Sequence, residues 1–426
     1  MAALPGRIWI VRQGQHLAEL APAFRALGLE VRVLERGELE AALQAGPRPH
    51  AVLDSDLAGT DFRGLTARGI PVVALMLDHW YFSVRHRSTP RHLEACARLG
   101  VPTTTETFVA ANFRPRAGGP SQSDRLYVFP CDPDQVPVFQ GLEGVRHAET
   151  LLFGVDPERF RPLELTPEER ARHGAKVGFV GASLLNNPID GVSLIQEAAR
   201  SGGGEAGRLA SFVDELIALQ SRDPFRFRLP ELLLDLEKRR GLEFLGAGEG
   251  MTPEKETWVI LLGVRLAAVQ RVAAVQALAA ATGITVHGLP EWALMETPGM
   301  DFRGMADRED GTLARVINAT DVNVNVSKPM FPTGVGPRVL ETLACGGFLL
   351  SNRLPALEAL FEDGRDLAYF DSLKDLVDRT RHYLAHPEER RAIGSRGRAR
   401  VLAAHTWAHR ARRVVQVLEA DGVLPV

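Results

Sequence analysis

The stretch DVNVNVSKPMFPTGVGPRVLETLACGGFLL, residues 321–350, decides the reading of the fold. Its opening alternates strictly, with Asp321, Asn323, Asn325 and Ser327 polar and Val322, Val324 and Val326 apolar. Period-two alternation marks a strand. Strands inside a sheet covered on both faces read instead as continuous apolar runs. The alternation therefore leaves two readings, a wetted functional face or an edge strand. Next comes Thr333-Gly334-Val335-Gly336-Pro337, a glycine-bearing loop that opens a helix at a proline suited to the first helical turn. That helix extends to about Cys345, and an apolar strand over 347–350 follows it. Strand, loop, helix and strand in this order are the unit of a parallel α/β sheet.

The loop also has a chemistry. The first amide hydrogens of a helix lack partners and the helix dipole adds partial positive charge, so the N-terminus attracts anions. Lys328 precedes the loop and Arg338 sits in the first turn. Cations at that end oppose the dipole, and a bound anion explains them better than stability does. A diphosphate fits: Lys328, Arg338 and the amides near Gly334 and Gly336 would hold it.

Working outward, the same rhythm recurs along the chain. Apolar runs at 8–11, 30–34, 51–54 and 70–78 alternate with helical spacing, the first helix covering 17–27 and closing at Gly28. A charged, proline-closed stretch at 154–162 marks a boundary, after which a new first strand, 176–181, restarts the pattern. Residues of about 189–258 are helical and charged, longer than a crossover needs, and read as an insertion between the first two strands of the second half. A helix over about 257–281, strands at 285–288 and 321–327, and two or three tail helices complete the chain. The expectation is two doubly wound domains, 1–160 and 161–400, with 401–426 as a C-terminal helix packing back across them. Such halves bind ligands at the carboxyl ends of their strands, hence in the cleft between them. Gly181-Ala182-Ser183 follows the first strand of the second half, where a tight loop can approach phosphates or simply turn into a helix. His287-Gly288 ends another strand and can touch a base or ribose, or serve the fold.

The 321–350 segment resembles the C-terminal signature of GT-B glycosyltransferases, specifically the spore-maturation CgeB-like group. Glu341, in VLETLACG, takes the second glutamate position of the family's paired-glutamate motif. Ser351-Asn352-Arg353, the run 357–365, His386-Pro387-Glu388-Glu389-Arg390 and His405-Thr406-Trp407 resemble the family's continuation, and 154–162 is similar to its linker. The resemblance covers roughly residues 150–410 and extends to the first half only in outline. It implies a GT-B fold of two Rossmann-like domains facing a central cleft, with a helical tail. It also implies transfer of a sugar from a nucleotide-diphosphate donor with retention and no metal, Glu341 contacting the nucleotide ribose. The sequence departs from the family at Thr333, where a glutamate ordinarily touches the donor sugar. A threonine hydroxyl hydrogen-bonds but cannot accept charge-strengthened bonds as a carboxylate does. In the first half, Asp78-His79 matches the strand end where related enzymes place a cleft histidine, which Asp78 would orient, and Gly14-Gln15-His16 matches a glycine loop near the substrates.

The composition bounds the alternatives. Fifty Lys+Arg against 53 Asp+Glu give a net charge of -3, which offers no basic footprint for nucleic acid. Of those cations only five are lysines, Lys328 among them. Three widely spaced cysteines, Cys96, Cys131 and Cys345, indicate a reducing, cytoplasmic setting and no zinc site. Asp54-Ser55-Asp56 imitates a metal motif of another fold and Asp132-Pro133-Asp134 reads as a turn. The apolar stretch 258–281 is interrupted by Arg265, Gln270 and Arg271 and so is not expected to span a membrane. The partners expected are a nucleotide-sugar donor, with no further cofactor, and an acceptor that is a glycan, protein or small molecule. A catalytically silent nucleotide-sugar-binding protein of the same fold, or a nucleotide-sugar epimerase, are the alternatives.

Overall fold

The computed structural model describes residues 6–12, 17–57, 60–77, 89–102, 113–331 and 333–425. The apolar runs become strands. Arg7–Arg12 (β1), Glu30–Glu35 (β2), Ala51–Ser55 (β3), Val72–Met76 (β4), Leu126–Pro130 (β5) and Val145–Ala148 (β6) form one sheet in the order β2-β1-β3-β4-β5-β6. Ala175–Val180 (β7), Ile284–His287 (β8), Met300–Phe302 (β9), Thr320–Asn325 (β10), Leu349–Asn352 (β11) and Ala368–Phe370 (β12) form the other, in the order β12-β11-β10-β7-β8-β9. Every pairing is parallel. β3, β4 and β5 are buried at every residue, as strands between two helix layers must be.

β10 is not an edge strand. It lies between β11 and β7, and its polar residues have separate uses. Asp321 is exposed and pairs with Arg390 at 3.1 Å. Asn323 is buried, its amide donating to the Ile317 and Thr320 carbonyls at 3.4 and 3.5 Å. Asn325, at the carboxyl end, donates to Ser327 and Ser351 at 2.9 Å each. Only this last pair belongs to the wetted end of the strand.

The insertion comprises the helices Gly191–Ser201, Gly204–Gln220 and Leu229–Arg240 between β7 and β8. It does not stand apart from the first half. Its apolar residues share a core with Cys96, Leu99 and Val101, on or just after the helix Pro90–Leu99. His92 Nδ1 meets the Leu245 carbonyl at 2.9 Å, and Arg98 forks onto Glu205 at 3.2 and 3.0 Å. The helix that follows, Pro253–Thr282, is the one among the described residues long and apolar enough to cross a membrane by composition. In the fold 61% of its most apolar window is buried inside the protein, against the second sheet and the insertion.

Three helices close the chain: Leu373–Ala385, Pro387–Ala404 and Trp407–Ala420. The last returns to the first half. It packs on the helix Leu20–Ala26, and Arg413 forks onto Glu149 at 2.6 Å, while Asp421 just beyond it pairs with Arg146 at 2.9 Å. At the turn into it, Thr406 bridges Val155, and Arg410 donates to the Leu152 and Phe153 carbonyls at 2.8 and 3.0 Å.

His405 sits in this junction, 6% exposed, 3.1 Å from Arg410. Burial first, then Arg410, Arg400 and His409, push its pKa down to about 4. The unfolded chain therefore binds a proton that the folded one rejects. This contribution to stability is complete above about pH 6.5 and is lost as pH falls toward 4, on the order of 3 kcal/mol in all. Urea titrations at pH 7 and pH 5 are expected to show wild type losing more stability than His405→Asn. Equal losses would remove His405 from the acid sensitivity.

Candidate functional site

The carboxyl ends of β4, β5, β7 and β10 converge on one cavity of about 310 Å³ between the two sheets. The first half supplies Leu77, Cys131, Asp132 and Phe153. The second supplies Gly181, Arg271, the run Asn325 to Lys328, and the loop Gly334 to Arg338. This is the crevice position where open α/β sheets bind ligands.

The helix Pro337–Ala344 starts with Gly336 as its N-cap and Pro337 at the first position, and no side chain caps it. Glycine has none to offer, so among the described residues no side chain caps the first turn facing the cavity, and Val339 N–H donates to the Gly336 carbonyl at 3.3 Å. Around it stand three cations. The Lys328 ammonium lies 5.7 Å from the Phe331 ring centroid. Arg338 gives one nitrogen to Glu341 at 2.7 Å, and burial together with the neighbouring Arg308 lowers its pKa to about 10. Arg271 reaches in from the long helix, donating to the Ala182 carbonyl at 2.7 Å and the Val326 carbonyl at 3.2 Å. Burial lowers it to about 10 as well, which leaves it charged at neutral pH. Among the described residues Arg271 has carbonyls as its polar partners and Arg338 a single carboxylate. That excess of positive charge at a helix N-terminus is the arrangement an anion relieves.

Gly181 lines the cavity, and its carbonyl accepts from Trp292 Nε1 at 2.8 Å while its N–H donates to the His287 carbonyl at 2.9 Å. A Cβ on Gly288 would meet the Gly181 carbonyl at 2.3 Å, so the β7 and β8 ends approach this closely only with glycine there. His287 is 5% exposed behind that contact, does not line the cavity, and is held below its ordinary pKa chiefly by burial. Ser183 is fully buried and donates to Glu291 at 3.2 Å. Glu341 is 1% exposed, facing Arg308 and Arg338 beneath the helix, and meets the cavity through Arg338. Thr333 Oγ1 donates to Asp132 Oδ1 across the cleft. Asp78, His79 and the Gly14-Gln15-His16 loop lie outside the described residues. Asp54 and Asp56 serve their own loop: Asp54 accepts from Thr60 at 2.7 Å, and Asp56 from the Leu77 amide at 2.7 Å.

Arg271 and Asp132 escaped the sequence reading. Arg271 carried a signal, being with Arg265 one of two arginines inside a mostly apolar helix, where a buried charge needs a partner or a task. Asp132 follows the apolar run of β5, a strand-end position like those already singled out, and its proline neighbour drew attention to the turn instead.

The family comparison falls on the same residues. Residues 270–416 match the glycosyl transferase-like family model. The matched segment begins at the long helix near Arg271, includes Lys328, Arg338 and Glu341, and ends in the last helix. No curated protein matches the chain. Among solved structures, a glycosyltransferase from Rickettsia africae aligns over 98% of this chain and 98% of its own, with a TM-score of 0.51 at 8% identity. Sucrose-phosphate synthase from Thermosynechococcus elongatus covers 97% of this chain and 98% of its own, with a TM-score of 0.48 at 12% identity. Anabaena HepE, in complex with UDP and glucose, covers 98% and 100% respectively, with a TM-score of 0.47 at 10% identity. The fold is GT-B, two Rossmann-like halves with a cleft between them.

Arg271→Met keeps the apolar stem and removes the charge. Calorimetry with inorganic pyrophosphate is expected to show affinity reduced about tenfold relative to wild type, a loss near 1.4 kcal/mol. Unchanged affinity would take Arg271 out of the anion site.

Proposed function

We propose that the protein is a glycosyltransferase that moves a sugar from a nucleotide-diphosphate donor to an acceptor held by the first half. The observation that carries this is the cradle of Lys328, Arg271 and Arg338 around an uncapped helix N-terminus, inside the cleft of a GT-B fold. The glycosyl transferase-like match over residues 270–416 supports it.

The chemistry asked of the protein is charge stabilisation. As the bond from the sugar to the diphosphate breaks, negative charge grows on the leaving oxygens. Cations and amide dipoles already in place stabilise it without reorganising. Lys328 suits the most concentrated charge, because an ammonium is a compact point charge with three donors on a flexible stem. Arg338 is steered by Glu341, which occupies one of its nitrogens and fixes the direction of the rest. The cradle supplies positive charge from the protein itself, which favours a metal-independent reaction. Retention, the CgeB-like subgroup and a cytoplasmic setting are part of the proposal, supported by the sequence resemblance and by three widely spaced cysteines buried in the fold. The acceptor, a glycan, protein or small molecule, meets the side of the cavity built from β4 and β5.

A panel of UDP, GDP, ADP and dTDP in thermal unfolding is expected to single out one nucleotide, adding about 2.7 kcal/mol at a hundredfold excess over its dissociation constant. The matching nucleotide sugar is expected to be hydrolysed slowly without acceptor. That turnover separates a working transferase from a silent binding protein, the alternative that Thr333 in place of the usual glutamate leaves open. Lys328→Ala is expected to lower kcat about a hundredfold, and Lys328→Arg to restore only part of it. If no nucleotide of the panel binds, or if Lys328→Ala turns over normally, the assignment fails.

A further inference from the structure

The cavity is chemically two-sided, and the second side has no place in the diphosphate cradle. Among its described lining residues the cations Arg271, Lys328 and Arg338 all come from the second half, and the one acid, Asp132, comes from the first. Asp132 stands two residues past the end of β5 and is 1% exposed. Its carboxylate is fixed: Oδ1 accepts from the Asp134 amide at 3.1 Å and from the Thr333 hydroxyl of the opposite half. Oδ2 is turned toward Gly334, where an added Cβ would lie 3.8 Å away. Gly334 belongs to the loop that enters the cradle helix, so this oxygen borders the space beside the anion site.

An ionised carboxylate only accepts hydrogen bonds. A phosphate oxygen is repelled there, whereas a ligand hydroxyl is bound by a charge-assisted bond. The cradle has the opposite preference. A molecule with a diphosphate at one end and vicinal hydroxyls at the other is thus admitted in a single orientation. We propose that Asp132, locked against Thr333, binds hydroxyl groups of the transferred sugar, and that this recognition exists only while the two halves are in contact. The inference rests on the transferase reading and assigns the sugar end of that same site.

The test compares two affinities in one protein. The nucleoside diphosphate found with the panel above and its sugar conjugate are titrated calorimetrically into wild type, Asp132→Asn and Thr333→Val. In wild type the conjugate is expected to bind at least about tenfold more tightly than the bare diphosphate. Asp132→Asn is expected to erase most of that difference while leaving diphosphate affinity within about twofold, and Thr333→Val to erase part of it. The ratio is the readout, because a fold-level loss lowers both affinities together. An equal loss of both overturns the inference, as does a preserved ratio or a wild type that gains nothing from the sugar. In each of those cases the diphosphate cradle stands. Absence of diphosphate binding in wild type instead overturns the transferase reading and this inference with it.

Discussion

Glu19 accepts hydrogen bonds from three side chains that come from three separate parts of the chain. Arg308, just beyond β9, forks onto it with both bonds at 2.9 Å. Arg159 of the linker reaches it at 3.3 Å, and Trp407, at the start of the last helix, donates its indole N–H at 2.6 Å. Glu19 itself follows β1 in the first half and is 7% exposed. A charge so placed loses its hydration, and losing one partner of such a pair typically costs about 3 to 5 kcal/mol. The two halves are therefore fastened by a bond set that tolerates little displacement. The apolar contribution around it is shared, since Phe24, Phe160, Leu340 and Trp407 belong to one continuous core.

The same fastening leads to the cleft. The third nitrogen of Arg308 contacts Glu341, and the other oxygen of Glu341 holds Arg338. Arg308 thus spends its whole guanidinium on two carboxylates, one from each half, with its Cζ 4.8 Å from the Phe160 ring centroid. A lysine could not make this arrangement, because it lacks the planar fork. Glu19 and Arg338 are thereby connected through Arg308 and Glu341 in one run of ion pairs between the junction of the halves and the cavity. Glu341 thus has a structural duty that reading it as a lone ribose contact would miss.

Much of this was visible in the sequence, and what was not had a common cause. β1, β3, β4 and β7 are continuous apolar runs and declare a covered parallel sheet by themselves. The loop before Pro337 stood out through its glycines, its proline and its cations, and these residues do line the cavity. β9 and β12 have three residues each, too short for periodicity to register. The alternation of β10 left a wetted face and a sheet edge both open; the strand is central, and Asn323 is buried by bonding to carbonyls of its own neighbourhood. Glu19, Arg308 and Asp132 share a different difficulty. Each matters through a residue more than 190 positions away, and nothing local distinguishes Glu19 from any acid near a helix start. Long-range pairing of single charges leaves no periodic trace.

The net charge of -3 conceals how the charge is distributed. Surface pairs such as Lys374 with Asp378 or Arg365 with Glu362 are exposed and contribute little. Among the described residues one line of buried charges runs through the interior to the cavity, alternating Glu19, Arg308, Glu341 and Arg338, while Lys255 with Glu237 and Arg265 with Asp190 pair separately. Alternation lets each buried charge be neutralised by its neighbours, so the line is stable as far as its last member. Arg338 has a carboxylate on one side and open cavity on the other, with Arg271 close enough to lower its pKa further. A buried line of charge that ends in a cation is completed by an anion. An anion in the cavity would make the domain fastening and the ligand site one electrostatic structure, closed at one end by Arg159 and Trp407 and at the other by the ligand.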